Sequence, residues 1–181
     1  MKLAILSDTT GLLRPEVMER LKDAGAILHG GDINRQSILD QLEELRPLYV
    51  VRGNNDKEWA EQLPHDRTVT LEGVTFFLVH NRKEVPAELS GVDVVVFGHS
   101  HRYVQEERDG VLWLNPGLLR PPAVPSGDHY DAGGGLQWAD FCGKGRHPPR
   151  DSGSMAGHER RRGRDGLKTE HRSHPAASPR C

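Results

Sequence analysis

Residues 93–101 read Asp93-Val94-Val95-Val96-Phe97-Gly98-His99-Ser100-His101. Asp93–Phe97 is the kind of apolar run found in a strand buried on both faces. A glycine and two histidines two apart follow it directly. The same order, a short apolar run and then a polar or glycine-rich loop, recurs upstream. Lys2–Leu6 leads to Asp8, and Ala26–His29 to Gly30-Gly31-Asp32. Leu48–Arg52 leads to Gly53-Asn54-Asn55-Asp56, and Val74–Val79 to His80. Pro15–Ala24 lies between the first two runs and reads as a helix with Pro15 in its first turn. Ser37–Leu45 is a second amphipathic helix. Glu72-Gly73 and Asp109-Gly110 are hairpin turns, the first between Thr68–Leu71 and Val74–Val79, the second between Tyr103–Glu107 and Val111–Leu114. A helix carrying Trp59 and Leu63 as packing residues is expected after the Asn54 loop. The order β-α-β-α-β followed by hairpins predicts an α/β domain with antiparallel strands in its second half.

Candidate metal ligands fall at five successive strand ends: Asp8, Asp32, Asn54, His80, and the pair His99 and His101. In open α/β sheets, ligands bind outside the carboxyl ends of the strands, so these loops are expected to converge on one crevice. Taken singly each signal is weak, because an Asp after a strand is usually a cap or turn residue and Gly-Asn-Asn-Asp is usually a turn. Their shared position is what carries the reading. Carboxylates and imidazoles without thiolate suit borderline divalent ions such as Mn, Fe, Zn, Ni or Co. A carboxylate can bridge two ions roughly 3.5–4 Å apart, as in two-metal hydrolytic sites. Gly30, Gly31, Gly53 and Gly98 are expected to let these loops approach closely.

Composition divides the chain in two. Residues 1–141 hold 14 Lys and Arg against 22 Asp and Glu, a formal charge of −8. Residues 142–181 hold 10 against 4, a charge of +6, with Leu167 their one branched aliphatic residue and no aromatic residue. Such a segment buries too little apolar surface to offset the entropy of ordering it. The expected organisation is a domain over 1–125 and a degenerate, disordered basic extension over 126–181. The extension contains Glu159-Arg160-Arg161-Arg162-Gly163-Arg164 but no interleaved aromatic residue for base stacking, so nucleic acid is not the expected partner. Gly133-Gly134-Gly135 reads as a flexible loop. The two cysteines, Cys142 and Cys181, supply no disulfide framework for the core. No apolar stretch has the length of a signal peptide or membrane span, which makes a cytoplasmic protein the expectation. There is no internal repeat, P-loop or dinucleotide fingerprint.

Asp8, Gly31-Asp32, Gly53-Asn54-Asn55-Asp56, His80, Gly98-His99-Ser100-His101 and Asn115-Pro116-Gly117 together resemble the calcineurin-like metallophosphoesterases, in particular their small bacterial and archaeal phosphodiesterase branch. The resemblance covers residues 1 to about 121. It implies a four-layer α/β fold, a two-layer sandwich of mixed sheets flanked by helices, with a dinuclear centre at the sheet edge. It implies that Asp8, Asp32 and His101 hold one divalent cation, manganese foremost. Asp32 then bridges to a second cation held also by Asn54, His80 and His99. The implied activity is hydrolysis of a small phosphate ester by metal-bound hydroxide, with Asp32, Asn54 and His80 as the catalytic residues.

Three departures stand out. Thr10 occupies a position where the family carries histidine, which implies a weaker first cation site and reduced activity. Asn55 stands where related phosphatases carry a leaving-group histidine, which implies good leaving groups. Beyond Leu118-Leu119-Arg120-Pro121 the closing strand is unrecognisable, which implies an open sheet edge. The alternative implied by the same family is an interaction scaffold with a weakened site. Arg14, Arg52, Arg82 and Arg120 are candidate phosphate contacts, and the oligomeric state stays open, a homodimer included.

Overall fold

The computed structural model describes residues 1–119 and 135–140. All lie in the unit Met1–Arg146. Among the described residues nine strands run in the order β1 (Lys2–Leu6), β2 (Ala26–His29), β3 (Leu48–Val50), β4 (Asp66–Leu71), β5 (Val74–Val79), β6 (Val94–Val96), β7 (Tyr103–Arg108), β8 (Val111–Pro116) and β9 (Leu136–Asp140). Helices α1 (Pro15–Leu21) and α2 (Gln36–Leu45) separate the first three. One sheet has the order β3-β2-β1-β9 and the other β4-β5-β6-β8-β7. Both are mixed. β1, β2 and β3 are parallel and β9 is antiparallel to β1. In the second sheet β5, β6 and β8 are parallel, while β4 and β7 pair as antiparallel hairpin edges.

The period of two along each strand explains the layering. In β1, Leu3 and Ile5 face one way and join Leu28, Phe76, Leu78, Val94, Val96, Leu112 and Leu114 in the core between the sheets. Ala4 and Leu6 face the other way and meet Val17 and Leu21 of α1 and Ile38, Leu39 and Leu42 of α2. Both faces of β1 are therefore buried, as its unbroken apolar run requires. The outer face of the second sheet packs Phe77, Val79, Val95 and Phe97 beneath Val85, Leu89 and Val92 of the segment between β5 and β6. The expected α/β sandwich of two mixed sheets with flanking helices is the architecture observed.

Two local expectations are corrected. The helix expected around Trp59 is a single 3-10 turn, Glu58–Ala60, although Trp59 and Leu63 do pack against the helix-side core. The closing strand expected to be missing is present. β9 lies beyond the boundary drawn at residue 125, and it pairs with β1 from Lys2↔Asp140 to Leu6↔Leu136. Leu136 joins the helix-side core and Ala139 packs against the inter-sheet core, so even this five-residue run alternates between two apolar layers. Gly135 is no flexible linker: with φ +99° it lets the backbone pass against Leu119, where a side chain would collide with the Leu119 amide. Gly133, Gly134, Arg120, Phe141, both cysteines and the basic segment 142–181 lie outside the described residues. Among the described residues no helix is long and apolar enough to cross a membrane.

Candidate metal centre

The six candidate ligands meet at the carboxyl ends of β1, β2, β3, β5 and β6. The loops after β1, β2 and β6 leave their strands in strained turns. Asp8 (φ 53°), Asp32 (φ 58°), His99 (φ 66°) and His101 (φ 55°) all occupy the left-handed region that non-glycine residues avoid. Strain of this kind costs on the order of 1–3 kcal/mol per residue and persists where surrounding contacts over-determine it. Those contacts are visible here. Asp8 N donates to Gly31 O at 3.0 Å and Thr10 N to Asp32 O at 3.1 Å, which zips the first loop to the second. Gly98 N donates to His80 O at 3.0 Å and joins the fourth loop to the fifth.

Asp8, Asp32 and His80 are buried and present ligand atoms within 4.8 Å of one another. His101 Nε2 lies 3.3 Å from Asp8 Oδ1, and His80 Nε2 lies 3.4 Å from Asp32 Oδ1. Asn54 Oδ1 is 3.1 Å from His80 Nε2 and 2.8 Å from His99 Nδ1. The structure thus brings all six sequence-predicted residues together in two touching groups, Asp8 with His101 and Asp32 with His80, Asn54 and His99. Asp8 Oδ1 is buried and accepts no hydrogen bond, the state of an oxygen built to face a cation. Its other oxygen accepts from Ser7 Oγ at 2.6 Å. Oxygen and imidazole donors around an orphaned carboxylate oxygen fit divalent cations of the borderline class.

Charge supports the fit. Burial pushes the Asp8 carboxyl above its usual range, against the Ser7 hydrogen bond and the nearby His80 and His101. Burial also opposes ionisation of Asp32, but bonds from His80 and from the Asn55 amide and side chain outweigh it and hold Asp32 low. Burial alone lowers His80, yet bonds to Asp32 and Gly30 O raise it overall. His80 Nδ1 donates to Gly30 O at 2.7 Å, so the proton is fixed there and Nε2 faces Asp32 and Asn54. That is the orientation imposed on metal-binding imidazoles by a carbonyl behind the ring.

Three polar residues without an assigned role in the sequence reading organise the loops. Asp56 is buried and its carboxylate accepts from Asp32 N (3.0 Å), Asn34 N (2.7 Å) and Gly53 N (2.9 Å). Asn115 Nδ2 donates to Gly98 O at 2.7 Å and to Ser100 Oγ at 3.1 Å, which anchors the His99–His101 turn. His29, at the end of β2, is fully buried: its Nδ1 accepts from Gly31 N at 3.1 Å, and its Nε2 sits 3.4 Å from Thr9 Oγ1. The Asx position of Asp56 and the motif membership of Asn115 were visible signals. His29 had none beyond a polar residue ending an apolar strand.

Burial lowers His29 to about 3, so it is neutral in the folded chain at any ordinary pH. Unfolded, it takes a proton near its reference value of about 6.5, so acidification between those values stabilises the unfolded chain by about 1.4 kcal/mol per pH unit. Urea denaturation is expected to show stability falling by about 2 kcal/mol more between pH 7 and pH 5 in the natural chain than in His29→Asn. Equal slopes would refute this account of His29.

Thr10 is exposed and its amide donates to Asp32 O, so residue 10 stands beside the centre. Of the candidate arginines, Arg52 lines a cleft of about 310 Å³ together with Asn54, His65, His80, Glu84 and His99. Arg82 is engaged elsewhere: it pairs with Glu106 at 2.8 Å and lies over Trp113. Arg14 is the half-buried N-cap residue of α1.

Comparison with known proteins agrees with this geometry. Residues 1–130 match the calcineurin-like phosphoesterase superfamily domain. A probable metallophosphoesterase of Methanothermobacter thermautotrophicus is 30% identical over 140 residues, covering 69% of this chain and 79% of its own. The Escherichia coli phosphodiesterase YfcE is 30% identical over 149 residues, and its solved structure superposes with a TM-score of 0.54 over 65% of this chain and 80% of its own. Chaetomium thermophilum Vps29 shares the fold with a TM-score of 0.62 at 19% identity, covering 79% of this chain and 86% of its own. By its sequence, its two mixed sheets and the convergence of its loops, the chain belongs to the calcineurin-like phosphoesterase superfamily.

Proposed function

We propose that the protein is a metal-dependent phosphodiesterase that hydrolyses a small phosphate ester at a dinuclear centre, with manganese the preferred cation. The observation that carries this reading is the buried Asp8 carboxylate, whose Oδ1 accepts no hydrogen bond, with ligand atoms of Asp8, Asp32 and His80 within 4.8 Å of one another. Asp8 and His101 would hold one cation and Asn54, His80 and His99 the other, with Asp32 between them. When bound, the two cations supply Lewis acidity, lowering the pKa of coordinated water toward neutrality and neutralising phosphoryl charge. The chain's own contribution is preorganisation. Gly30 O fixes the His80 tautomer, Asn55 holds both Asp32 oxygens, and Asn54 offers its amide to a phosphoryl oxygen. Asn55 supplies no proton to the leaving group at neutral pH, which favours esters of acidic alcohols.

A second reading, an interaction scaffold, is favoured by one observation: exposed Thr10 at the family's histidine position. One experiment separates the two. The purified chain is stripped with chelator and assayed on bis(p-nitrophenyl) phosphate with and without Mn²⁺. Hydrolysis that appears only with Mn²⁺ is the expected result, and Thr10→His is expected to raise it by tightening the first cation site. A folded chain inactive in both forms would sink the enzyme reading and leave the scaffold.

A further inference from the structure

We propose that Arg52 anchors a second anionic group of the substrate, carried on the ester substituent and separate from the phosphoryl group that reacts. The inference rests on the phosphoesterase reading above and adds the substrate class: a phosphodiester with a further phosphate or carboxylate.

The argument starts from what Arg52 lacks. It is half-buried two residues beyond β3, and among the described residues its guanidinium has no carboxylate partner. Arg82 and Arg108, by contrast, both pair with Glu106, at 2.8 and 2.9 Å. The two carboxylates that line the cleft with Arg52, those of Asp56 and Glu84, have contacts of their own. Asp56 is spent on three backbone N–H groups. Glu84 lies 3.4 Å from His65 Nε2, and Asp66 lies 3.7 Å from His65 Nδ1. A partly desolvated, unpaired guanidinium is costly unless a ligand completes it. Its planar fork matches phosphate or carboxylate oxygens two at a time.

Position decides which anion. Asn54, His80 and His99 line the cleft, but Asp8, Asp32 and His101 do not. The cleft therefore takes in one part of the ligand cluster together with Arg52, His65 and Glu84. A phosphoryl group held at the cluster directs one ester substituent into this space. A volume of about 310 Å³ is at the small end of ligand clefts and fits a compact polar substituent.

The test uses the full chain with Mn²⁺ and two matched substrates, the p-nitrophenyl ester of thymidine 5′-phosphate with and without an additional 3′-phosphate. The natural chain is expected to favour the 3′-phosphorylated substrate at least about tenfold in kcat/KM, mainly through KM, because a charged hydrogen-bond pair contributes about 1.5–3 kcal/mol. Arg52→Met is expected to bring that ratio to about one. A ratio near one in the natural chain, or a ratio unchanged by Arg52→Met, would overturn the inference. If neither substrate is hydrolysed, the phosphoesterase reading fails and calorimetry decides the inference separately. Thymidine 3′,5′-bisphosphate binding at least tenfold tighter than thymidine 5′-phosphate, with the margin lost in Arg52→Met, would still support it, and equal affinities would overturn it.

Discussion

Asp32→Ala is expected to lower Mn²⁺-dependent kcat/KM by at least about a thousandfold, a loss of roughly 4 kcal/mol of transition-state stabilisation. Asp32 belongs to the second group of ligands and presents a ligand atom within 4.8 Å of one on Asp8. Its Oδ1 is 3.4 Å from His80 Nε2, and both its oxygens take bonds from Asn55. Its hydrogen bonds hold it ionised against its own burial, so in the proposed centre it would be the anion shared by both cations. Alanine removes that charge and leaves the Asn55 amide unpaired, so the loss mixes chemistry with local disorder. Asp32→Asn separates them, since it keeps the shape and one carbonyl acceptor. Both variants are expected to lose turnover and one Mn²⁺ equivalent by calorimetric titration, while Asp32→Asn keeps the urea midpoint nearer that of the natural chain. Turnover within tenfold of the natural chain in either variant would remove Asp32 from the centre.

The second large effect is on stability. Asp56→Ala is expected to cost about 3–6 kcal/mol in urea denaturation, since it strands three backbone N–H groups at about 1–3 kcal/mol each. The donors are Asp32 N, Asn34 N and Gly53 N, on two loops that are joined covalently only through α2 and β3. Asp56→Asn keeps one acceptor oxygen and turns an NH₂ toward a donor, so an intermediate loss is expected. The free energy and m-value of all three chains check this, and a change under 1 kcal/mol in Asp56→Ala would show that the loops are held by other means. Loss of that anchor also moves Asp32, so the variant is expected to bind Mn²⁺ weakly even where it remains folded.

The contrast between these two aspartates shows how far the sequence could be read. Asp32 was visible because it ends a strand, and strand ends are where α/β chemistry collects. Asp56 is visible as a member of Gly53-Asn54-Asn55-Asp56, but its role is not, because its partners are backbone amides, which every residue but proline carries. His29 was hidden for a related reason. It completes an apolar strand and bonds to a glycine amide and a threonine, residues that announce nothing. The strands to β8 were legible because each is a short apolar run ending at a polar or glycine-rich loop, or an arm of a hairpin turning at Glu72-Gly73 or Asp109-Gly110. β9 was not, because Leu136-Gln137-Trp138-Ala139-Asp140 follows a glycine run and precedes a polar segment. Only its pairing with β1 makes its alternation meaningful. Positive φ at Asp8, Asp32, His99 and His101 was equally beyond reach, since backbone strain leaves no mark on composition.

The place of β9 also governs the timing of folding. The parallel pairs β1–β2 and β2–β3 join segments that all lie within the first fifty residues, and they are available early in synthesis. The pairing of β1 with β9 must instead close across some 130 residues, from Leu6 to Leu136. The chain entropy of that closure exceeds that of β1 with β2 by about 1–2 kcal/mol, and it is paid last. Until residue 140 has left the ribosome, β1 remains an open edge with both faces apolar, a surface that invites pairing with another chain. The strand least visible in the sequence is thus the one that ends the nascent domain's exposure to aggregation.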